Sequence, residues 1–187
     1  KVGVVMAGNI PMVGFHDFMA VLLSGHYLLA KLSSDDEVLM KRIADMLVAI
    51  EPAFADRFQF VPMLKDADAI IATGSDNTAR YFEYYFAKRP HIIRKNRTSI
   101  GILTGHEEPE DLRALGNDVL QYYGLGCRNV SKVFVPEGYS FDKFFEANAH
   151  RSNILDLHKY QNNYDYNKSI LLVNRVPHFD NGFMLVQ

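Results

Sequence analysis

The chain has one cysteine, Cys127, set in YYGLGCRNVSKVFVP at residues 122–136. A thiolate is a strong nucleophile, so this stretch could carry acyl-transfer chemistry. Gly124 and Gly126 beside it allow unusual backbone angles and close approach of a ligand. Arg128 is the nearest fixed positive charge and would stabilise a thiolate if its side chain folds back. Free cysteines are also often small buried hydrophobes, and the stretch by itself leaves both readings open. His106 and His158 could partner the thiol only through tertiary folding. None of the seven histidines has metal-ligand spacing, and a single cysteine leaves no cysteine cluster for zinc.

Further polar residues stand where apolar runs end. Asn9 follows VGVVMAG, Lys31 closes YLLAKL, Gly74-Ser75 follows ADAIIAT, and Arg94 closes HIIR. In open α/β sheets ligands bind beyond the carboxyl ends of the strands, so these residues could share one rim. Asn9 could offer its amide to a developing oxyanion, or be a turn asparagine. Lys31 could meet a ribose or phosphate, or be a solvated strand end. Gly74-Ser75 could seat a phosphate on the following helix turn, or Ser75 could simply cap that helix. Asp76 suits the helix dipole but would repel a phosphate. No G-x-G-x-x-G fingerprint is present.

The elements that would position these residues follow from the hydrophobic pattern. Residues 2–7 form a β-branched run suited to a strand covered on both faces. MVGFHDFMAVLLSG predicts a helix apolar on most faces that stops at Gly25. In SSDDEVLMKRIADMLVAI, Ser34 and Glu37 predict a capping box, with Val38, Leu39, Ile43, Met46, Leu47 and Ile50 as the buried stripe. FQFVPM, ADAIIATG, HIIRK, SIGILTG and VSKVFVP predict further strands. SDNTARYFEYYFAKR, PEDLRALGNDVLQYYGLG and YSFDKFFEANAHRS predict helices, the second ending at Gly124 or Gly126. RYFEYYF has helical spacing that suits packing. YQNNYDYNK reads as polar and turn-rich, and could line a pocket.

Alternation of strands and helices predicts a doubly wound parallel sheet over residues 1–94 and a second α/β unit over 95–187. With 187 residues, 48% hydrophobic, 22% charged and a net charge of −2, the chain reads as a globular protein without a basic face for nucleic acid. No apolar stretch reaches bilayer length. One cysteine precludes an internal disulfide and fits a reducing, cytoplasmic setting. The chain opens at Lys1 inside a strand-like run and closes in the apolar FMLVQ, so it reads as a fragment of a longer polypeptide.

Taken together, these motifs resemble the aldehyde dehydrogenase superfamily. GNIP looks like its N-F-P turn, KLSSDDE stands where K-P-S-E would, and ATGSDNTAR where F-T-G-S-x-x-x-G would. YYGLGCRNVSKVFVPEGYSFDKFFEA is similar to the segment around the catalytic cysteine. Within the superfamily, VVMAGNIPMVGFHDF, ATGSDNTARYFEYYF, PHIIRKNR and GLGCRNVSK resemble the LuxC-type acyl-CoA reductases. The resemblance implies a Rossmann-like nucleotide-binding domain followed by part of an aldehyde dehydrogenase-like catalytic domain. It implies reduction by NADPH of a fatty acyl thioester, from acyl-CoA or an acyl carrier, to aldehyde. Cys127 would carry the acyl group, with Asn9 and the Cys127 backbone N–H as the oxyanion hole. Lys31 and Ser33 would contact the adenosine ribose or its 2′-phosphate, and Gly74 and Ser75 the pyrophosphate. Homo-oligomers and partner acyl-transferring enzymes are compatible with this reading.

Two departures from the family pattern matter. Hydrolytic members carry a glutamate in E-L-G-G-K, whereas the matching stretch here, IIRKNR, has no acid. A base is needed to set water on a thioester, so this departure favours hydride over hydrolysis. The family's E-x-F-G segment has no counterpart before Gln187, so the fragment alone is expected to bind cofactor poorly. Two readings of another class stay open: a cysteine acyltransferase or thioesterase without nucleotide, and a non-catalytic assembly module.

Overall fold

A computed structural model describes the whole chain except Asn96 and the side chain of Asp76. The chain divides into two compact units, Lys1–Arg97 and Thr98–Gln187.

The first unit is built on β1 (Val2–Val5), with α1 (Phe15–Leu23), β2 (Leu28–Lys31), α2 (Glu37–Ile50), β3 (Phe58–Phe60), β4 (Ala69–Thr73), α3 (Asp76–Phe86) and β5 (His91–Arg94) following in order. The five strands form one parallel sheet in the order β3-β2-β1-β4-β5. Alternate residues feed opposite faces, as the pleat requires. Val4, Leu28 and Ala30 join Phe18, Val21 and Met40 on one face. Leu29, Ile70 and Ala72 join Leu64 and Ala67 on the other, with Phe82 and Phe86 of α3 packed against them. The doubly wound sheet expected from the sequence is therefore present.

Local expectations hold less well. The α1 helix buries Phe18, Val21 and Leu22 but leaves Leu23 exposed, so it is amphipathic rather than apolar all round. Gly25 ends it as expected, at φ +78°. The Ser34–Glu37 capping box does not form. A turn donates Asp36 N–H to Ser33 O at 3.2 Å, and α2 begins only at Glu37 with Asp36 as its N-cap. The buried side of α2 is Met40 and Ala44, with Ile43 and Leu47 half-buried; Val38, Leu39, Met46 and Ile50 face solvent. Apolar residues outnumber what one 3.6-period face can hold, so the predicted stripe and the buried one differ in phase. On α3 the phenylalanines pack inward, whereas Tyr81, Tyr84 and Tyr85 are exposed.

The second unit contains β6 (Ser99–Ile102), α4 (Pro109–Leu120), β7 (Val130–Phe134), α5 (Asp142–Asn148), α6 (His158–Val173), and a hairpin of β8 (Phe179–Asp180) and β9 (Leu185–Val186). The β6 and β7 strands pair in parallel, and β8 and β9 antiparallel. The core joins Leu112 and Leu120 of α4 to Phe141, Phe144, Ile154, Phe183 and Met184. The stretch YQNNYDYNK is helical, contrary to the turn-rich reading. Tertiary hydrogen bonds explain the difference: Tyr160 Oη donates to Phe183 O at 2.9 Å and Tyr164 Oη to Asp180 Oδ1 at 2.6 Å.

Helices α4 and α5 approach at a glycine. A Cβ on Gly116 would lie 1.7 Å from Asn148 Oδ1. Asn148 is fully buried, and its Nδ2 donates to Leu112 O at 3.0 Å and Phe144 O at 2.9 Å. Gly116→Ala is expected to destabilise the second unit by about 1–3 kcal/mol through overpacking. Thermal denaturation checks this, and adding Asn148→Ala should cost less than the sum of the single changes because the clash is then relieved.

The α6 helix is tied to the β8–β9 hairpin by an ion pair, Lys168 Nζ to Asp180 Oδ2 at 2.7 Å. Burial alone would raise the Asp180 carboxyl, but hydrogen bonds from Lys168 and Tyr164 outweigh it and hold the group below the usual carboxylate range. A lowered native value means the contribution is complete above the unfolded value of roughly 4 and is lost as pH falls through the native one. Wild-type protein should therefore exceed Asp180→Asn in melting temperature near neutrality. That gap should close in acid, which a pair of melting series across pH measures.

Candidate functional site

Parallel pairing brings the ends of β1, β2, β4 and β5 out on one edge of the sheet. Val5 lies opposite Lys31 and Ala72, and Thr73 opposite Arg94. The rim predicted from the sequence is thus assembled within the first unit. Asn9 is exposed in the bend after β1, and Lys31 is exposed as the last residue of β2. The loops after these strands touch: a Cβ on Gly8 would lie 2.3 Å from Ser33 Oγ. Ser33 accepts from the Asp35 N–H at 3.4 Å and so shapes the turn leading to α2.

Between these loops lies a crevice of about 190 Å³, lined by residues 8–11 and 34–39. Its charged lining is acidic: Asp35, Asp36 and Glu37. Asp36 is 6% exposed, and its Oδ2 is buried without a hydrogen-bond partner. A buried orphan acceptor carries a desolvation cost that a hydroxyl donor from a ligand would offset. The sequence reading passed over Asp36 because SSDDE looked like a helix cap.

The Gly74-Ser75 step is built as a helix start. Gly74 N–H donates to Arg94 O at 3.2 Å, so that donor belongs to the sheet. A Cβ on Gly74 would meet Thr78 Cβ at 3.0 Å and Phe82 Cε2 at 3.1 Å, so the glycine serves close packing against α3. Ser75 Oγ accepts from the Thr78 N–H at 3.3 Å and caps the helix. The first turn of α3 still presents its positive dipole end to the rim.

Arg94 ends β5, and its Nη1 donates to both oxygens of Asp17, at 2.6 and 2.7 Å. Asp17 is 7% exposed in the first turn of α1. The pair runs from β5, past β4, to the helix that follows β1. An aspartate among FHDFMAVLL was the available sequence signal for a buried partner. The acid-free stretch IIRKNR therefore presents an arginine already engaged by a carboxylate; its Asn96 lies outside the described residues.

Cys127 belongs to the second unit and is exposed. It lies in the connection from α4 to β7, three residues before Val130, and so at the amino edge of β7. The rule that ligands gather at carboxyl ends does not cover it. The α4 helix ends at Leu120, earlier than the glycines suggest, because Tyr122, Tyr123 and Gly124 all adopt positive φ, at 52°, 60° and 73°. Gly126 O then accepts from Asn129 N–H at 3.0 Å, closing a turn that holds Cys127 at its second position. Arg128 and His106 are exposed. Among the described residues, no His, Cys, Asp and Glu group is arranged to hold a metal ion, and no helix is long and apolar enough to cross a membrane.

Among solved structures, the chain is similar to PutA from Anabaena variabilis, described as an aldehyde dehydrogenase, at 20% identity and TM-score 0.68 over 81% of this chain and 35% of that one. It is similar to a protein from Burkholderia cenocepacia, also described as an aldehyde dehydrogenase, at 21% identity and TM-score 0.68, with 81% and 35% covered. It also resembles the indole-3-acetaldehyde dehydrogenase AldA of P. syringae, solved with NAD+, at 18% identity and TM-score 0.67, with 78% and 33% covered. The chain thus spans about a third of the length of these structures. No curated protein matches it. The family described as acyl-CoA reductase (LuxC) matches residues 1–147, which include the whole rim and Cys127. The chain belongs to this LuxC acyl-CoA reductase family and has the fold of the aldehyde dehydrogenases.

Proposed function

We propose that the protein containing this chain reduces a fatty acyl thioester to an aldehyde, with Cys127 as the acyl-carrying nucleophile and NADPH as reductant. The observation that carries the proposal is the exposed thiol on a closed turn, inside a segment that matches the acyl-CoA reductase family. The Cys127 thiolate attacks the thioester carbonyl of acyl-CoA or an acyl carrier. The donor thiolate leaves, and the acyl group is held as a thioester on Sγ. Asn9 and the Cys127 backbone N–H are the groups proposed to stabilise the oxyanion. When bound, a reduced nicotinamide supplies hydride to the acyl carbonyl. Cys127 sulfur then departs as a thiolate, ready for another acyl group.

The rim of the first unit is the proposed seat of the dinucleotide. Asp36 lines the crevice after β1 and β2, and its carboxylate is the proposed acceptor for a ribose hydroxyl. Lys31, exposed at the end of β2, and Ser33 are the proposed contacts for the 2′-phosphate. The α3 N-terminus at Gly74-Ser75 is the proposed seat of the pyrophosphate. The carboxylate that Arg94 meets at the end of β5, Asp17, is bonded through both oxygens to that cation, which is compatible with the reductive reading.

Intact-mass measurement on the full-length protein is the direct test. Acyl-CoA alone should add one acyl group to Cys127, and NADPH should remove it with release of aldehyde. Cys127→Ser should lose both the adduct and NADPH oxidation. Thioester cleavage that proceeds without NADPH and yields no aldehyde would instead establish a thioesterase. Asn9→Ala should lower kcat by about 10²–10³.

Cofactor choice has its own measurement. Lys31→Met should raise the KM for NADPH while leaving that for NADH nearly unchanged. Equal effects on both would remove Lys31 from the 2′-phosphate.

A further inference from the structure

The turn that carries Cys127 is held by Asn129, which lies in the GLGCRNVSK stretch two residues after the cysteine and has no role in the reading above. Its side chain is 9% exposed and fully engaged. Nδ2 lies 2.9 Å from Asp118 O, 3.3 Å from Val119 O and 2.9 Å from Gln121 O. Oδ1 accepts from the Gly126 N–H at 2.7 Å. The Asn129 backbone carbonyl accepts from Ser99 N–H at 3.0 Å and Thr98 Oγ1 at 3.1 Å, which fixes the residue to the start of β6.

These contacts act on the two segments that flank Cys127. The last carbonyls of a helix have no partners within it, and here one amide group gathers two from the end of α4, Asp118 and Val119, and that of Gln121 just beyond it. The chain then passes through left-handed conformations at Tyr122 and Tyr123, each costing about 1–2 kcal/mol for a non-glycine residue. Hydrogen bonds to a single buried amide, at about 0.5–1.5 kcal/mol each, are of the size needed to offset that strain. Finally, Gly126 is bonded twice to Asn129, through Oδ1 and through the backbone N–H. Cys127 lies between these two clamped residues, so its N–H and Cα–Cβ direction are set by them.

We propose that Asn129 is a positioning residue for Cys127, holding the thiol and its backbone N–H in the orientation that acyl transfer needs. This rests on the function proposed above. A group misplaced by about 1 Å can cost 10²-fold in a reaction that depends on alignment. Simple alkylation by a small, freely diffusing reagent has no such requirement.

The test compares these two reactions in full-length Asn129→Ala protein that is shown by circular dichroism to be folded. Acylation of Cys127 by acyl-CoA should fall by about 10–10², while alkylation by iodoacetamide changes by less than about threefold. Asn129→Asp keeps the acceptor for Gly126 but loses the donors to α4, and should fall between wild type and Asn129→Ala. If Asn129→Ala fails to fold, Asn129→Asp carries the same comparison. Unchanged acylation in a folded variant, or equal loss in both reactions, overturns the inference. A wild-type Cys127 that is never acylated sinks the proposed function itself, and the positioning role with it.

Discussion

The first unit depends on β1 pairing in parallel with a strand on each side. Val2–Val5 is hydrogen-bonded to β2 along one edge and to β4 along the other. Parallel neighbours cannot be joined by tight turns, so β1–β2, β2–β3 and β4–β5 are connected through α1, α2 and α3, while residues 61–68 carry the chain from β3 to β4 without a helix. That requirement covers both faces and sends all strand ends to one rim. Gly3 shows how closely the layers meet, since a Cβ there would be 2.8 Å from Ala67 Cβ and 2.9 Å from Ile70 Cδ1. The chain leaves β1 toward β2 and β3, then returns to the other side for β4 and β5. The crevice of a doubly wound sheet opens at such a reversal. Arg94 and Asp17 link the far side of the sheet to the helix that follows β1.

The second unit solves its packing differently. Its parallel pair, β6 and β7, supplies little sheet to pack against, and buried asparagines tie α4 to its surroundings. Asn148 grips α4 at Leu112 and faces Gly116, while Asn129 gathers the carbonyls at the end of the same helix. A buried amide costs free energy unless its bonds are made, and both side chains have partners on donor and acceptor atoms. Such residues are demanding of geometry in a way an apolar contact is not. They fix helix position and loop path together.

Much of the first unit was legible because its information is local. Short β-branched runs separated by helical periods specify strands buried on both faces, and the residues at their ends then follow from parallel pairing. Asn9, Lys31 and Gly74 could be placed on one rim for that reason alone. What escaped was set by contacts distant in sequence. The phase of α2 depends on which apolar residues meet Phe18 and Leu28, and a surplus of apolar side chains hides that choice. The α6 helix is mostly polar up to Ser169 and is held by Asp180 and Phe183, which lie beyond it. Tyr122 and Tyr123 give no sign of left-handed backbone, since tyrosine has no preference for it. The cysteine could be noticed from its type, but the residue that holds its turn could not.

The rim of the first unit and the cysteine turn of the second therefore have different physical supports. At the rim, Asn9, Lys31 and Ser75 are delivered by strand ends and a helix cap, so the backbone ladder of the sheet sets their spacing. Cys127 sits at the amino edge of β7, where no strand delivers it and the chain arrives through a strained turn. A nucleophile in that place needs a constraint from side chains, and Asn129 supplies it from within the same connection. Rim side chains can then vary with the ligand without disturbing the sheet, because their backbone positions do not depend on them. The cysteine turn has no such freedom: its conformation and its chemistry rest on the same few hydrogen bonds.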